Sequence, residues 1–115
     1  MTTKDLFNQI KAKQSFLCVG LDVDQDYFPV KIKDSPDNIF NFSKSIIDTT
    51  AKYCVAYKIN IAFFEAYGIE GWNSLEKVMD YLNNYYPEIF TIADAKRADI
   101  GNTSKRYAKA YFDHF

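Results

Sequence analysis

Three short apolar runs punctuate the chain, and each closes on a polar or charged residue: Phe16 to Leu21 before Asp22, Cys54 to Tyr57 before Lys58, and Ile89 to Ala93 before Asp94. All three are of strand length, and the first, a continuous apolar run ending in an acid, has the look of a strand buried on both faces. Between them the apolar residues recur at helical spacing. Residues 3–13 predict a short helix with Leu6, Phe7 and Ile10 on one face, opened by a Thr2/Asp5 capping box. Ser35-Pro36 predicts a second helix start, with serine at the cap and proline at the first helical position, followed by Ile39, Phe42, Ile46, Ile47 and Thr50. Residues 23–35 before it read as a loop. A short helical segment is expected from Phe64 to Tyr67, with Gly68 and Gly71 as punctuation. A longer helix then buries Leu75, Val78, Met79 and Leu82, with Ser74 as its cap and Pro87 beyond its end. Gly101 and Asn102 open a last helix through Tyr107, Ala110 and Tyr111 to Phe115.

Alternating helices and strands predict an α/β architecture with parallel strands. Asp22, Lys58 and Asp94 recur at 36-residue intervals, one strand-helix unit apart, although the intervening sequences are not repeats. By strand parity Cys18, Gly20 and Asp22 share a face, as do Ala56, Lys58 and Asn60, and Ile92, Asp94 and Lys96. Strands that deliver charge to one end fit the mouth of a (β/α)₈ TIM barrel. The switch point of an open doubly wound sheet is the alternative. Neither G-x-G-x-x-G nor G-x-x-x-x-G-K-[ST] occurs to favour that alternative.

Composition narrows the class. At 48% hydrophobic and 25% charged residues, the 115-residue chain has the balance of a soluble globular domain. Its net charge of −1 gives no electrostatic case for nucleic acid or an anionic membrane surface. No stretch approaches the roughly 20 apolar residues of a membrane span, and the N-terminus lacks an apolar signal core, so a cytoplasmic protein is expected. Cys18 and Cys54 lie in apolar runs at no zinc-binding spacing and read as buried free thiols. The tyrosines, among them Tyr53, Tyr57, Tyr81, Tyr85, Tyr86 and Tyr111, fall mostly in helix and strand contexts, where core packing is commoner than base stacking. His114, the lone histidine, takes no role.

The candidate chemistry lies in Phe90 to Thr103, FTIADAKRADIGNT. On an extended strand Asp94 and Lys96 point the same way, and Asp99 follows beyond the turn. Two carboxylates and an ammonium so close together are costly to bury unless they pair, which favours a built site over a solvated charged turn. Asp94-x-Lys96-x-x-Asp99-Ile100, with Thr103 beyond it, resembles the D-x-K-x-x-D signature of orotidine 5'-phosphate decarboxylase and its relatives. Leu17-Cys18-Val19-Gly20-Leu21-Asp22 is similar to that family's first strand. Tyr57-Lys58-Ile59-Asn60 with Ala62-Phe63-Phe64-Glu65 is similar to its second, in the bacterial branch with longer loops. Ala98 stands where many of these enzymes have glycine.

The resemblance implies decarboxylation of orotidine 5'-phosphate to uridine 5'-phosphate in pyrimidine biosynthesis, with no metal and no organic cofactor. It implies Lys96 as proton donor, with Asp94, Asp99 and Lys58 as its catalytic partners in an alternating Asp-Lys-Asp-Lys network. Asp22, Lys58, Asn60, Ile100 and Thr103 would bind substrate. Asp99 and Thr103 would enter the neighbouring subunit's site, which implies a homodimer. A barrel of this kind needs roughly 250 residues. Residues 1–115 are therefore expected to be the N-terminal part of one barrel domain, three of its eight units with a preceding helix, and inactive alone. The alternatives are a magnesium-dependent sugar-phosphate relative, for which Glu65 is the extra acid near a strand tip, and a non-catalytic fragment.

Overall fold

The computed structural model describes residues 1–114, and its three strands form one parallel sheet in the order β1-β2-β3. β1 is Leu17–Leu21, β2 is Cys54–Asn60 and β3 is Phe90–Asp94. Gly20 lies opposite Lys58, Lys58 opposite Ile92, and Asn60 opposite Asp94. This register puts the strand residues of the predicted parity sets on one face and all three tips at one end, while Lys96 lies beyond β3. Helix α1, Thr3–Lys13, precedes the sheet. The first crossover contains α2, Val30–Lys33, and α3, Asn38–Thr50. The second contains α4, Ile61–Glu65, and α5, Gly68–Tyr85, and α6, Gly101–Lys109, follows β3. These are consecutive strand-helix units of a (β/α)₈ barrel, with the sheet not closed.

The core lies between one face of the sheet and the crossover helices. Leu21, Tyr57 and Ile59 meet Ile39 and Ile47 of α3 and Leu75, Val78 and Leu82 of α5. Each such aliphatic side chain contributes about 1.5–3 kcal/mol when fully buried. The Tyr57 hydroxyl donates to the Ile47 carbonyl at 3.1 Å, and burial raises its pKa. Asp48 of α3 clasps α5, taking hydrogen bonds from Lys44 at 2.6 Å, Tyr81 at 2.5 Å and Tyr86 at 3.1 Å. Partial burial works against the Asp48 charge, but these donors outweigh it and hold its pKa below the usual carboxylate range. Tyr53 and Tyr85, by contrast, stay exposed.

The opposite face of the sheet is open. Phe90 and Ile92 are 38% and 37% exposed, and Cys18 is exposed while Cys54 is buried. The expectation that β1 is buried on both faces, with both thiols inside, is therefore corrected. Helices cover one face only, and β1 and β3 are both edge strands. In a closed barrel the uncovered face is the packed interior.

Other differences have local causes. The Thr2/Asp5 capping box forms, yet no residue of α1 is buried and Phe7 stays exposed. α1 is fastened instead by Lys13, whose ammonium donates to the Ala51 and Cys54 carbonyls at 2.8 and 2.9 Å. The expected loop over residues 23–35 contains a 3₁₀ turn, Gln25–Tyr27, as well as α2. Ser35 does not start α3, because its hydroxyl donates back to the Ile32 carbonyl at 2.7 Å. The chain enters α3 through Asp37, in the left-handed region at φ 53°. The last helix continues past α6 as a π-helical stretch, Ala110–His114, and only its predicted end at Phe115 lies outside the described residues.

Ser74 does not cap α5 either; it is buried inside that helix. α5 starts earlier because Gly68, at φ 59°, turns the chain back after α4, and Gly71 then presses on α4. A Cβ at Gly71 would lie 1.8 Å from the Phe64 carbonyl oxygen, whereas one at Gly68 would meet no atom within 4 Å. Gly71→Ala is expected to destabilise by about 3 kcal/mol or more, through displacement of α4. Gly68→Ala should cost only about 1–2 kcal/mol, from the left-handed backbone. Denaturant midpoints of the two variants check this, and equal losses would mean that α4 yields without cost.

Candidate active site at the strand tips

Parallel pairing brings the C-terminal ends of all three strands together. Asp22 follows the last residue of β1, Lys58 sits near the end of β2, and Asp94 ends β3. Gly20, opposite Lys58, presents no side chain between that lysine and Asp22. Lys58 Nζ lies 3.8 Å from Asp22 Oδ1 and 3.6 Å from Asp94 Oδ2, and Lys96 Nζ lies 2.6 Å from Asp94 Oδ1. Acid and base thus alternate along one line, and the four formal charges cancel. The Lys96 hydrogen bond, assisted by the charges of Lys96 and Lys58, holds the Asp94 carboxyl below its usual range. Exposed pairs of this kind add little to stability. What the network supplies is a fixed arrangement of charge at an open mouth.

Lys96 reaches Asp94 in a way that strand alternation did not anticipate. β3 ends at Asp94, and Lys96 adopts a left-handed backbone at φ 52°. Such a conformation costs a non-glycine residue about 1–3 kcal/mol and persists only where its surroundings impose it. Asn60, opposite Asp94, has a buried Oδ1 that finds no hydrogen-bond partner among the described residues. Its side chain does not cap the helix that follows.

Asp99, Ile100 and Thr103 stand apart from this group. Asp99 makes no ion pair among the described residues; its Oδ1 accepts from the Ile100 amide at 2.7 Å, and its carbonyl from the Ser104 hydroxyl at 2.6 Å. Ile100 is exposed at the start of α6, and the Thr103 amide donates to Asn102 Oδ1 at 2.8 Å. The structure therefore assembles Asp22, Lys58, Asp94 and Lys96, with Asn60 beside them, and leaves the other three predicted residues outside.

Sequence reasoning passed over the ion pair between Arg97 and Glu65. The sequence offers Glu65 as part of the second-strand motif and as a possible metal ligand, and neither points to Arg97. The available signal was Arg97 itself, a cation inside the Asp94–Asp99 stretch that the signature leaves unassigned. Among the described residues, no group of three or more His, Cys, Asp or Glu side chains is suited to hold a metal ion. Among the described residues, no helix is long and apolar enough to cross a membrane.

Comparison with known proteins bears on this geometry. The chain is 58% identical over 113 residues to an orotidine 5'-phosphate decarboxylase of Christiangramia forsetii, and 59% identical to that of Flavobacterium johnsoniae. Each match covers 98% of this chain but only 42% and 41% of the relatives, so the chain spans about two-fifths of their length. The solved structure of Leishmania donovani OMP decarboxylase superposes with a TM-score of 0.76 at 38% identity, over 99% of this chain and 41% of that one. A family model described as Orotidine 5'-phosphate decarboxylase / HUMPS family matches residues 15–115, and the chain belongs to that family.

Proposed function

We propose that these residues carry part of the active site of an orotidine 5'-phosphate decarboxylase, as the N-terminal three units of a single barrel domain. The observation that supports this best is the unbroken line Asp22–Lys58–Asp94–Lys96 across three strand tips. The reaction breaks the bond between C6 of the pyrimidine and its carboxylate. The electron pair stays on C6, and carbon dioxide leaves. Lys96 then transfers a proton from Nζ to C6, and the neutral lysine regains one from water. An ammonium already fixed beside the developing carbanion stabilises it without reorganisation. Asp94 holds that ammonium and stands near the substrate carboxylate, whose departure relieves their repulsion. Lys58 and Asp22 reach the ribose, and Asn60 offers its unpartnered oxygen to the same region. Ile100 binds substrate, and Asp99 and Thr103 serve the site of a second copy in a cytoplasmic homodimer.

The substrate is a small nucleotide, and the chemistry requires no metal or organic cofactor. Glu65, which a magnesium-dependent relative would need as a ligand, is paired with Arg97. The test uses a complete barrel, made by joining residues 1–115 to the remaining length of the Christiangramia forsetii relative. It should consume orotidine 5'-phosphate at an unchanged rate after prolonged EDTA treatment, while residues 1–115 alone consume none. Activity that returns only with added magnesium, or turnover by the 115-residue chain, would overturn the corresponding part of this reading.

A further inference from the structure

Arg97 sits between Lys96 and the turn that carries Asp99, yet its contacts lead away from the charged network. Its Nη1 donates to the Ala95 carbonyl at 2.9 Å, and its Nη2 donates to Glu65 Oε1. Its guanidinium carbon lies 5.6 Å from the centre of the Tyr107 ring. Three elements meet at this one side chain: the tip of β3, the end of α4, and α6. Glu65 is the last residue of α4, which starts directly after Asn60 at the tip of β2. The clamp therefore ties the end of the strand that carries Lys58 to the segment that carries Lys96.

We propose that Arg97, held by Glu65 and Tyr107, is a positioning residue that keeps Lys96 against Asp94; this rests on the decarboxylase reading of the site. Residues 95–100 have no regular structure, and strand pairing stops at Asp94. The hydrogen bonds of Asp99 in this segment are local to the start of α6. The left-handed backbone at Lys96 needs an external constraint. Arg97 is the adjacent residue and supplies one. Its planar fork reaches the Ala95 carbonyl and the Glu65 carboxylate together while stacking near a ring, a combination that lysine cannot reproduce. With Glu65 and Arg97 side chains only 32% and 28% exposed, the pair is better shielded from water than the exposed pair of Lys77 and Asp37.

The test uses the same complete barrel. Arg97→Ala should lower kcat about tenfold or more while KM stays within about threefold, because the lost group orients Lys96 and does not bind substrate. Glu65→Gln should also lower kcat, and Arg97→Lys should recover only part of the Arg97→Ala loss. Adding Glu65→Gln to Arg97→Ala should cost nothing further, since both act through one contact. Losses that add independently, or an unchanged kcat per folded molecule with a lower Tm, would overturn the proposal. A crystal structure of Arg97→Ala gives a readout that needs no activity. Lys96 should leave the left-handed region, with its Nζ moving beyond about 4 Å of Asp94. Retention of both features would overturn the proposal even if the unvaried barrel proved not to be a decarboxylase. Should Arg97→Ala not fold, the same measurement on Glu65→Gln decides.

Discussion

Lys96→Ala in the complete barrel should reduce turnover of orotidine 5'-phosphate by about 10³-fold or more if, as proposed, one group supplies both the proton and the charge that stabilises the carbanion. The fold should survive. Lys96 lies beyond the last strand residue, and its side chain is 62% exposed. Its removal leaves Asp94 paired with Lys58 at 3.6 Å, so no carboxylate is stranded. Replacing a left-handed lysine by alanine changes neither the backbone requirement nor the core. Circular dichroism and the denaturant midpoint should therefore match the parent closely, while loss of substrate absorbance nearly stops. Activity within about tenfold of the parent would remove Lys96 from the role of proton donor.

How much of this site was legible in the sequence follows from what fixes each residue. Lys58 and Asp94 sit on strands, where side chains alternate strictly, and the apolar runs defined those strands closely enough for parity to place both. Asp22 lies one residue beyond its strand and was placed by the same alternation. The same alternation set Lys96 beside Asp94, but as part of an extended strand; β3 ends at Asp94, and the approach is made through a left-handed backbone that no alternation rule contains. Helix starts were the least legible. Ser35-Pro36 and Ser74 are good caps by residue type, but Ser35 bonds back to Ile32, and the close approach of Gly71 to α4 sets α5 earlier than Ser74. The contact between Arg97 and Glu65 joins residues far apart in the chain, and only the packed fold brings them together. The open face of the sheet was foreseeable from length alone, since three strands cannot close a barrel.

Asp99 poses the sharpest test of the assembly, since it belongs to the signature yet touches neither lysine. If it serves the site of a second copy, two crippled chains should repair each other. Lys96→Ala and Asp99→Asn complete barrels, each nearly inactive alone, are mixed in equal amounts and allowed to exchange subunits. In the mixed dimer one site takes Lys96 from the Asp99→Asn chain and Asp99 from the Lys96→Ala chain, and so has both groups intact. The other site lacks both. With random pairing, about a quarter of all sites are then complete, and about a quarter of the parent activity should return. This geometry lets Asp99 act outward: among the described residues its carboxylate accepts a hydrogen bond only from the amide of the next residue, at the exposed start of α6. Exchange can be confirmed separately by differential labelling of the two chains. If labelled mixed dimers form and activity stays at the level of the single variants, Asp99 acts within its own chain, and the segment from Lys96 to Ile100 would have to rearrange to bring it there.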